Sequence, residues 1–175
     1  MDRIRTVSQI SRTILLILFW VAPIVVLVSW LTNTPFFTSL NLRLLPGVVP
    51  DLNQLPPQVK CYGFLTSLIP TAASMIILYS LACMFKHFER GNIFGINSAR
   101  CLKIVGITIL IWEIIHPFYD ILMSYVLTHF TDHTRLAIQF DISNLRGLII
   151  GIVLFVIAWV MEEAAKLKEE QDLTV

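Results

Sequence analysis

Charged residues are scarce in this sequence. They make up 14% of its 175 residues, whereas 56% of the residues are hydrophobic. Ordinary soluble domains carry about 25% charged residues, so the low charged fraction argues against a soluble domain. The mean hydropathy of +0.75 argues in the same direction. The net charge of +1 argues against direct nucleic-acid binding, because that activity uses a strongly basic surface. The composition therefore indicates a membrane protein.

Cysteine is also rare, and the common enzyme motifs are missing. The three cysteines form no Cys-x-x-Cys pair, and Cys61 is separated from Cys83 and Cys101 by the length of an apolar run, so we expect free thiols rather than disulfides or a metal site. There is no P-loop, no His-Glu-x-x-His, no Gly-x-Ser-x-Gly and no dinucleotide-binding glycine pattern. One histidine, His116, lies well inside an apolar block, which disfavours paired haem ligation. We therefore expect no catalytic activity and no cofactor.

Four apolar blocks are what the sequence does contain. Ile14–Leu31 and Cys61–Phe85 carry no charge, and each lies in the range of about 17–25 residues that crosses a membrane as one helix. The third block contains ionisable residues, and the fourth is short. Gly147 and Gly151 in the fourth block form a small-xxx-small pattern that lets helices approach closely. The sequence thus predicts an all-α membrane protein with helices near 13–32, 62–85, 102–127 and 145–164.

Lysine and arginine are distributed unevenly around these helices. Nine lie near the N-terminus, between the second and third helices or in the tail: Arg3, Arg5, Arg12, Lys86, Arg90, Arg100, Lys103, Lys166 and Lys168. The other four lie on the opposite side: Arg43, Lys60, Arg135 and Arg146. Because cytoplasmic loops carry the excess of basic residues, we predict one membrane domain, 1–175, built as a four-transmembrane-helix bundle with both termini cytoplasmic. The proline-rich residues 33–60 form its first outer loop.

The third helix carries an ionisable face near its middle. Glu113, His116 and Asp120 are three and four residues apart, which places them on one side of a helix. A charge at the bilayer centre costs at least about 3 kcal/mol, so these side chains should point toward other helices. Pro117 lacks the N–H that would bond the Glu113 carbonyl, which predicts a helix kink beside them.

The second helix offers a matching polar stripe. Ser67, Thr71 and Ser74 are four and three residues apart, again on one helix face. We predict that these hydroxyls and the ionisable face of the third helix form one hydrogen-bonded intramembrane cluster. Such a cluster either holds the helices together or serves as a proton or small-cation site. Asp120 can instead lie at a wet outer end of its helix.

Two charged elements lie on the predicted cytoplasmic side. One is the connection between the second and third helices, and the other is a tail helix at 162–171, whose opposite charges are spaced to pair along one face. The tail is either a solvated helix end or a docking surface for a soluble partner. The charged residues of the candidate docking surface are Lys86, Arg90, Glu162, Lys166 and Glu170.

Two segments of the second half carry a recognisable pattern. FERGNIFGINSARCLKIVG contains an F-x-x-G-x-x-F loop formed by Phe88, Gly91 and Phe94, and LRGLIIGIVLFVIAWVMEEAAKLKEEQDLTV has an acidic ending. Both resemble the bacterial "domain of unknown function 2975" family of small proteins with four predicted membrane helices, mainly over residues 85–175. The resemblance implies a multi-pass protein of the bacterial cytoplasmic membrane. The polar third helix departs from a typical member.

The resemblance and the residues together support two functions. Genes of this family often stand beside one for a small Xre-type helix-turn-helix regulator, which implies a regulatory membrane protein that binds such a regulator at its cytoplasmic face. The ionisable face of the third helix instead favours a small proton- or cation-coupled transporter. The lipid bilayer is a partner in both hypotheses, and neither predicts an oligomeric state.

Overall fold

Four long helices make up the described part of the chain. The computed structural model describes residues 2–32, 56–91, 95–128 and 142–173. The helices are α1 (Asp2–Thr32), α2 (Pro57–Glu89), α3 (Ile96–Thr128) and α4 (Ile142–Leu173). Each is long and apolar enough to cross a membrane. The predicted all-helical class with four spanning-length helices is confirmed, and the orientation of the termini stays a prediction.

The helices are longer than the apolar blocks that predicted them. α1 begins at Asp2, and α4 continues to Leu173, so the predicted tail helix 162–171 is the last part of α4 rather than a separate element. Hydropathy marks only the apolar part of a helix, whereas good helix formers extend it beyond that part. α2 begins at Pro57, a favourable first position because proline lacks the N–H that would be unpaired there. The rest of the predicted outer loop lies outside the described residues.

Successive helices pack against each other in antiparallel pairs. Near the start of α1, Arg12 lies 3.1 Å from Glu89 at the end of α2. Near the end of α1, Trp30 donates a hydrogen bond to Ser67 in the first half of α2, so the two helices run in opposite directions. Extensive contacts join α1 to α2, α2 to α3 and α3 to α4. Within the described residues, α1 and α4 pack against each other less extensively than any of these three pairs. The predicted four-helix bundle is therefore open between its first and last helices.

The two ends of the molecule are held together differently. At one end, here called the core end, a buried apolar cluster joins three helices; its members are Val59, Tyr119 and Met123, with Trp30 and Trp112 packed against them. At the other end, here called the turn end, α2 and α3 are connected through Arg90 and Gly91, and the buried residues there are small. Small residues let membrane helices approach closely where no large apolar cluster is available.

Gly91 ends α2 by adopting a left-handed backbone conformation. Its φ is 80°, a value that costs glycine nothing but strains residues with a Cβ. The Arg90 N–H donates to the His87 carbonyl at 3.1 Å, and the Gly91 N–H donates to the Phe88 carbonyl at 3.0 Å. These bonds satisfy carbonyls that the helix end would leave free. The glycine of the F-x-x-G-x-x-F pattern is thus a helix stop, and Phe94 lies outside the described residues.

The backbones of α3 and α4 approach closely at glycines. A Cβ built on Gly106 would lie 2.8 Å from the Phe155 backbone nitrogen, and one built on Gly151 would lie 2.9 Å from the Leu110 side chain. Neither separation is compatible with an unshifted Cβ. The Gly147-x-x-x-Gly151 pattern therefore lies in the contact between α3 and α4, where the sequence predicts a close helix approach.

Candidate functional site

His116 and Asp120 form a pair on the ionisable face of α3. The His116 Nδ1 atom lies 3.2 Å from an Asp120 carboxylate oxygen, and the two side chains are 25% and 34% exposed. They are one helical turn apart, so α3 alone sets their geometry. A carboxylate beside an imidazole is easier to accommodate in an apolar layer than a lone charge. The structure thus brings together two of the three predicted ionisable residues.

Glu113 shares this face of α3, but its carboxyl group lies against α4. The carboxyl atoms occupy the space where a side chain of Gly147 would begin. Gly147 has no Cβ, so the space beside its backbone is open to the Glu113 carboxyl. The sequence predicted that Glu113 would point toward the second helix; it points to the fourth instead. The reason is the close approach of α3 and α4, which places Gly147 beside the Glu113 side chain.

Aromatic rings frame the His116–Asp120 pair. The centroids of the Trp112 and His116 rings are 5.5 Å apart, in an edge-to-face arrangement, and those of Trp112 and Tyr119 are 5.6 Å apart. Rings in such arrangements attract one another beyond their contact area. Because Tyr119 is also part of the buried core cluster, this frame fixes the imidazole to the core end of the protein.

The hydroxyl stripe of α2 bonds to its own helix. The hydroxyls of Ser67, Thr71 and Ser74 donate to the carbonyls of residues 63, 67 and 70, at 2.8, 2.7 and 3.0 Å. A hydroxyl has one proton, so each of these donors is already used one turn back along α2. Ser67 and Thr71 are buried, whereas Ser74 is exposed. The predicted single cluster is therefore divided, with these hydroxyl protons bonded within α2.

Ser67 nevertheless connects α1 to α2 through its oxygen. The Trp30 Nε1–H of α1 donates to the Ser67 Oγ at 3.1 Å. The indole N–H of a tryptophan in an apolar environment usually finds such a partner. Sequence reasoning missed Trp30 because it considered only ionisable groups and hydroxyls. The signal that points to it is an amphipathic aromatic residue at the same depth as Ser67.

Pro117 lies within α3, which continues to Thr128. Similar prolines lie inside α1 and α2, at Pro23 and Pro70. Each proline leaves the carbonyl four residues earlier without its usual backbone donor. For Pro117 this is the carbonyl of Glu113, so a free acceptor lies beside the His116–Asp120 pair. The kink at Pro117 stays a prediction.

The charged residues of the candidate docking surface do not all have the same role. Lys86 and Arg90 are exposed near the α2–α3 turn. Glu162 instead faces α3, where Lys103 Nζ lies 2.9 Å from its carboxylate and its side chain is only 14% exposed. Lys166 lies 4.0 Å from Glu162 and 3.4 Å from Glu163. Glu162 therefore fastens α4 to α3, while Lys86, Arg90, Lys166 and the exposed Glu170 face outward.

We expect reversal of the Glu162 charge to loosen the α3–α4 contact. In Glu162→Lys two ammonium groups would face each other, whereas the neighbouring Glu163 is 56% exposed, and Glu163→Lys serves as the matched control. Thermal unfolding in detergent should show a lower Tm for Glu162→Lys than for Glu163→Lys. The double variant Lys103→Glu/Glu162→Lys should recover most of the loss, because it restores opposite charges. Equal Tm values for the two single variants would contradict the assigned role of this ion pair.

These observations define the class of the protein. Four apolar helices with polar residues between them are the features of a small multi-pass helical membrane protein. The chain belongs to the family of proteins of unknown function DUF2975, whose model matches residues 10–175. The resemblance seen mainly over residues 85–175 is thus confirmed and extends over nearly the whole chain. Comparisons with curated proteins and with solved structures find no match.

Proposed function

We propose that this chain is a non-enzymatic regulatory protein of the bacterial cytoplasmic membrane. In this proposal its turn end faces the cytoplasm and binds a small soluble helix-turn-helix regulator of the Xre type. The protein holds the regulator at the membrane and away from its DNA sites. The nine-to-four distribution of Lys and Arg supports this orientation.

The exposed charges at the turn end carry the proposal. Lys86 and Arg90 are exposed on the α2–α3 connection, and Lys166 and Glu170 are exposed on the end of α4. Glu162 is paired with Lys103 at 2.9 Å, so an ion pair holds α4 against α3 next to these exposed charges. A charged surface of this kind favours a specific partner, since complementary charges set register and association rate.

Co-purification with a regulator of this type tests the proposal. The full chain is placed in lipid nanodiscs with a small Xre-type helix-turn-helix protein, the kind of partner that the family resemblance implies. Removal of residues 166–175, or the double change Lys86→Gln/Arg90→Gln, should release the regulator while the membrane protein stays in the membrane fraction. Lys60→Gln is the matched control, because Lys60 lies near the opposite end of α2. Regulator binding that survives the deletion and the double change together would refute the proposal.

The His116–Asp120 pair favours a second candidate function, a small proton- or cation-coupled transporter. The 3.2 Å separation of these groups and the neighbouring Glu113 carboxyl provide titratable groups within α3. Vesicles containing the protein and a pH-sensitive dye would test it. Transport should produce an internal pH change that Glu113→Gln and His116→Ala abolish. No pH change above that of empty vesicles would reject a proton-coupled transporter.

A further inference from the structure

Two thiols and an imidazole meet between α2 and α3 near the turn end. Cys83 and His87 lie one turn apart on α2, and Cys101 lies opposite them on α3. The ligand atoms of all three lie within 4.8 Å of one another, and the Cys83 Sγ is 3.9 Å from the His87 Nε2. Cys101 is buried, and the other two are half-buried. This arrangement is unrelated to the His116–Asp120 pair and to the exposed docking charges.

We propose that Cys83, His87 and Cys101 form a binding site for Zn²⁺. Zinc takes thiolate sulfur at about 2.3 Å and imidazole nitrogen at about 2.0–2.1 Å in a tetrahedron. Ligand atoms around such an ion are separated by about 3.5–3.8 Å. The Cys83–His87 separation of 3.9 Å is already close to this value, and rotation of the side chains would bring the three ligand atoms from within 4.8 Å to this spacing.

The donor set selects against the common hard cations. Ca²⁺ and Mg²⁺ take oxygen ligands, whereas two sulfurs and one imidazole nitrogen suit a thiophilic ion such as Zn²⁺. Binding requires both thiols to lose their protons to solvent, so the two thiolates balance the charge of the ion. The loaded site carries no net charge, which suits a position inside a membrane-spanning segment, where an unbalanced charge is costly.

The site lies in the same layer of the turn end as two ion pairs that join other helices. Arg12 and Glu89 join α1 to α2 at 3.1 Å, and Lys103 and Glu162 join α3 to α4 at 2.9 Å. His87 and Cys101 lie two residues from members of these two ion pairs. A bound Zn²⁺ would join α2 to α3 in the same layer. Three protein ligands leave a fourth position for water or another small ligand.

Zinc content of the purified full chain tests the site directly. The protein is held reduced with a phosphine, loaded with Zn²⁺, dialysed and measured by elemental analysis. We expect about one Zn²⁺ per chain in the unchanged protein and in Cys61→Ser, the matched control at the other end of α2. Loss of a residue that only hydrogen-bonds to a zinc ligand weakens zinc binding by about 10–100-fold. Cys83→Ser and His87→Ala remove a ligand itself, so each should weaken binding by more than about 100-fold. Zinc content equal in the unchanged protein and in Cys83→Ser would overturn the proposal.

A second measurement on the unchanged protein covers the case in which a variant does not fold. Co²⁺ bound by two thiolates gives a charge-transfer absorption that packed thiols do not give, and added Zn²⁺ should abolish it and raise Tm. Absence of this absorption in folded, reduced protein would overturn the proposal. So would a disulfide between Cys83 and Cys101 trapped by alkylation in intact cells, because a disulfide removes both thiolates.

Discussion

Replacing Gly106 with leucine should destabilise the protein more than any other single change in the contact between α3 and α4. Even a Cβ at this position would lie 2.8 Å from the Phe155 backbone nitrogen and 3.1 Å from its Cα. Backbone atoms cannot rotate away as a side chain can, so the two helices must separate. Forced overpacking typically costs about 1–3 kcal/mol, and the additional leucine atoms place Gly106→Leu at or above the upper end of that range. Unfolding of the detergent-solubilised protein by a denaturing detergent measures the effect.

A second glycine in the same contact provides the control. A Cβ on Gly147 meets the side chain of Glu113, which can change rotamer, so Gly147→Ala should cost less than Gly106→Ala. Truncation in Glu113→Ala should relieve the Gly147→Ala variant. Phe155→Ala should not relieve Gly106→Ala, because the obstructing atoms are backbone. A Gly106→Leu protein as stable as the unchanged chain would contradict the described α3–α4 packing.

Truncating Met123 to alanine should give the largest loss at the core end. Met123 is 1% exposed and packs with Val59 and Tyr119, so its removal leaves a cavity among three helices. Buried methionine-to-alanine changes cost about 2–5 kcal/mol in soluble proteins. We expect about 2 kcal/mol here, the lower end of that range, because lipid tails are as apolar as the protein interior and mainly packing is lost.

The adjacent Leu122 is the matched control for Met123. It is 44% exposed and lies on the outward side of α3, so Leu122→Ala should change the free energy of unfolding by less than about 0.5 kcal/mol. The comparison uses the same helix, the same depth and a similar loss of side-chain volume. If both variants unfold alike, the cluster of Val59, Tyr119 and Met123 does not stabilise the core end as described.

The sequence alone predicted the number of helices and their approximate positions, because a membrane-spanning helix needs a long apolar run of residues. Charge-free runs such as Cys61–Phe85 can be recognised in the sequence without knowing which other helices they contact. Helix ends were less predictable: α1 begins at Asp2 rather than near residue 13. Polar residues with good helix propensity extend a helix beyond its apolar part, and a prediction based on hydropathy does not detect them.

The partners of the polar residues were less accessible to sequence reasoning. The spacing of Glu113, His116 and Asp120 predicted one shared helix face, and the His116–Asp120 pair that the structure shows follows from the i,i+4 relation on that face. It wrongly predicted that Glu113 faces the second helix, because the direction of this side chain depends on how closely α3 and α4 approach at Gly147. Ser67 was recognised as a polar position, but its use by Trp30 depends on the register between α1 and α2.

The thiol–imidazole cluster shows the same division between local and long-range information. Cys83 and His87 are four residues apart, so their proximity could be inferred from a helix alone. Cys101 joins them only through the antiparallel register of α2 and α3. A prediction that treated the cysteines as separate small apolar side chains could not reveal this convergence.

Reporter fusions at the two sides of the membrane provide the most direct test of the central claim, that the turn end is a cytoplasmic docking end. Alkaline phosphatase is active only outside the cytoplasm, and green fluorescent protein fluoresces in it. We predict phosphatase activity for a fusion after Gln54 and fluorescence without phosphatase activity for a fusion after Val175. The reverse pattern, or phosphatase activity after Val175, would place the turn end or the tail outside and contradict the account.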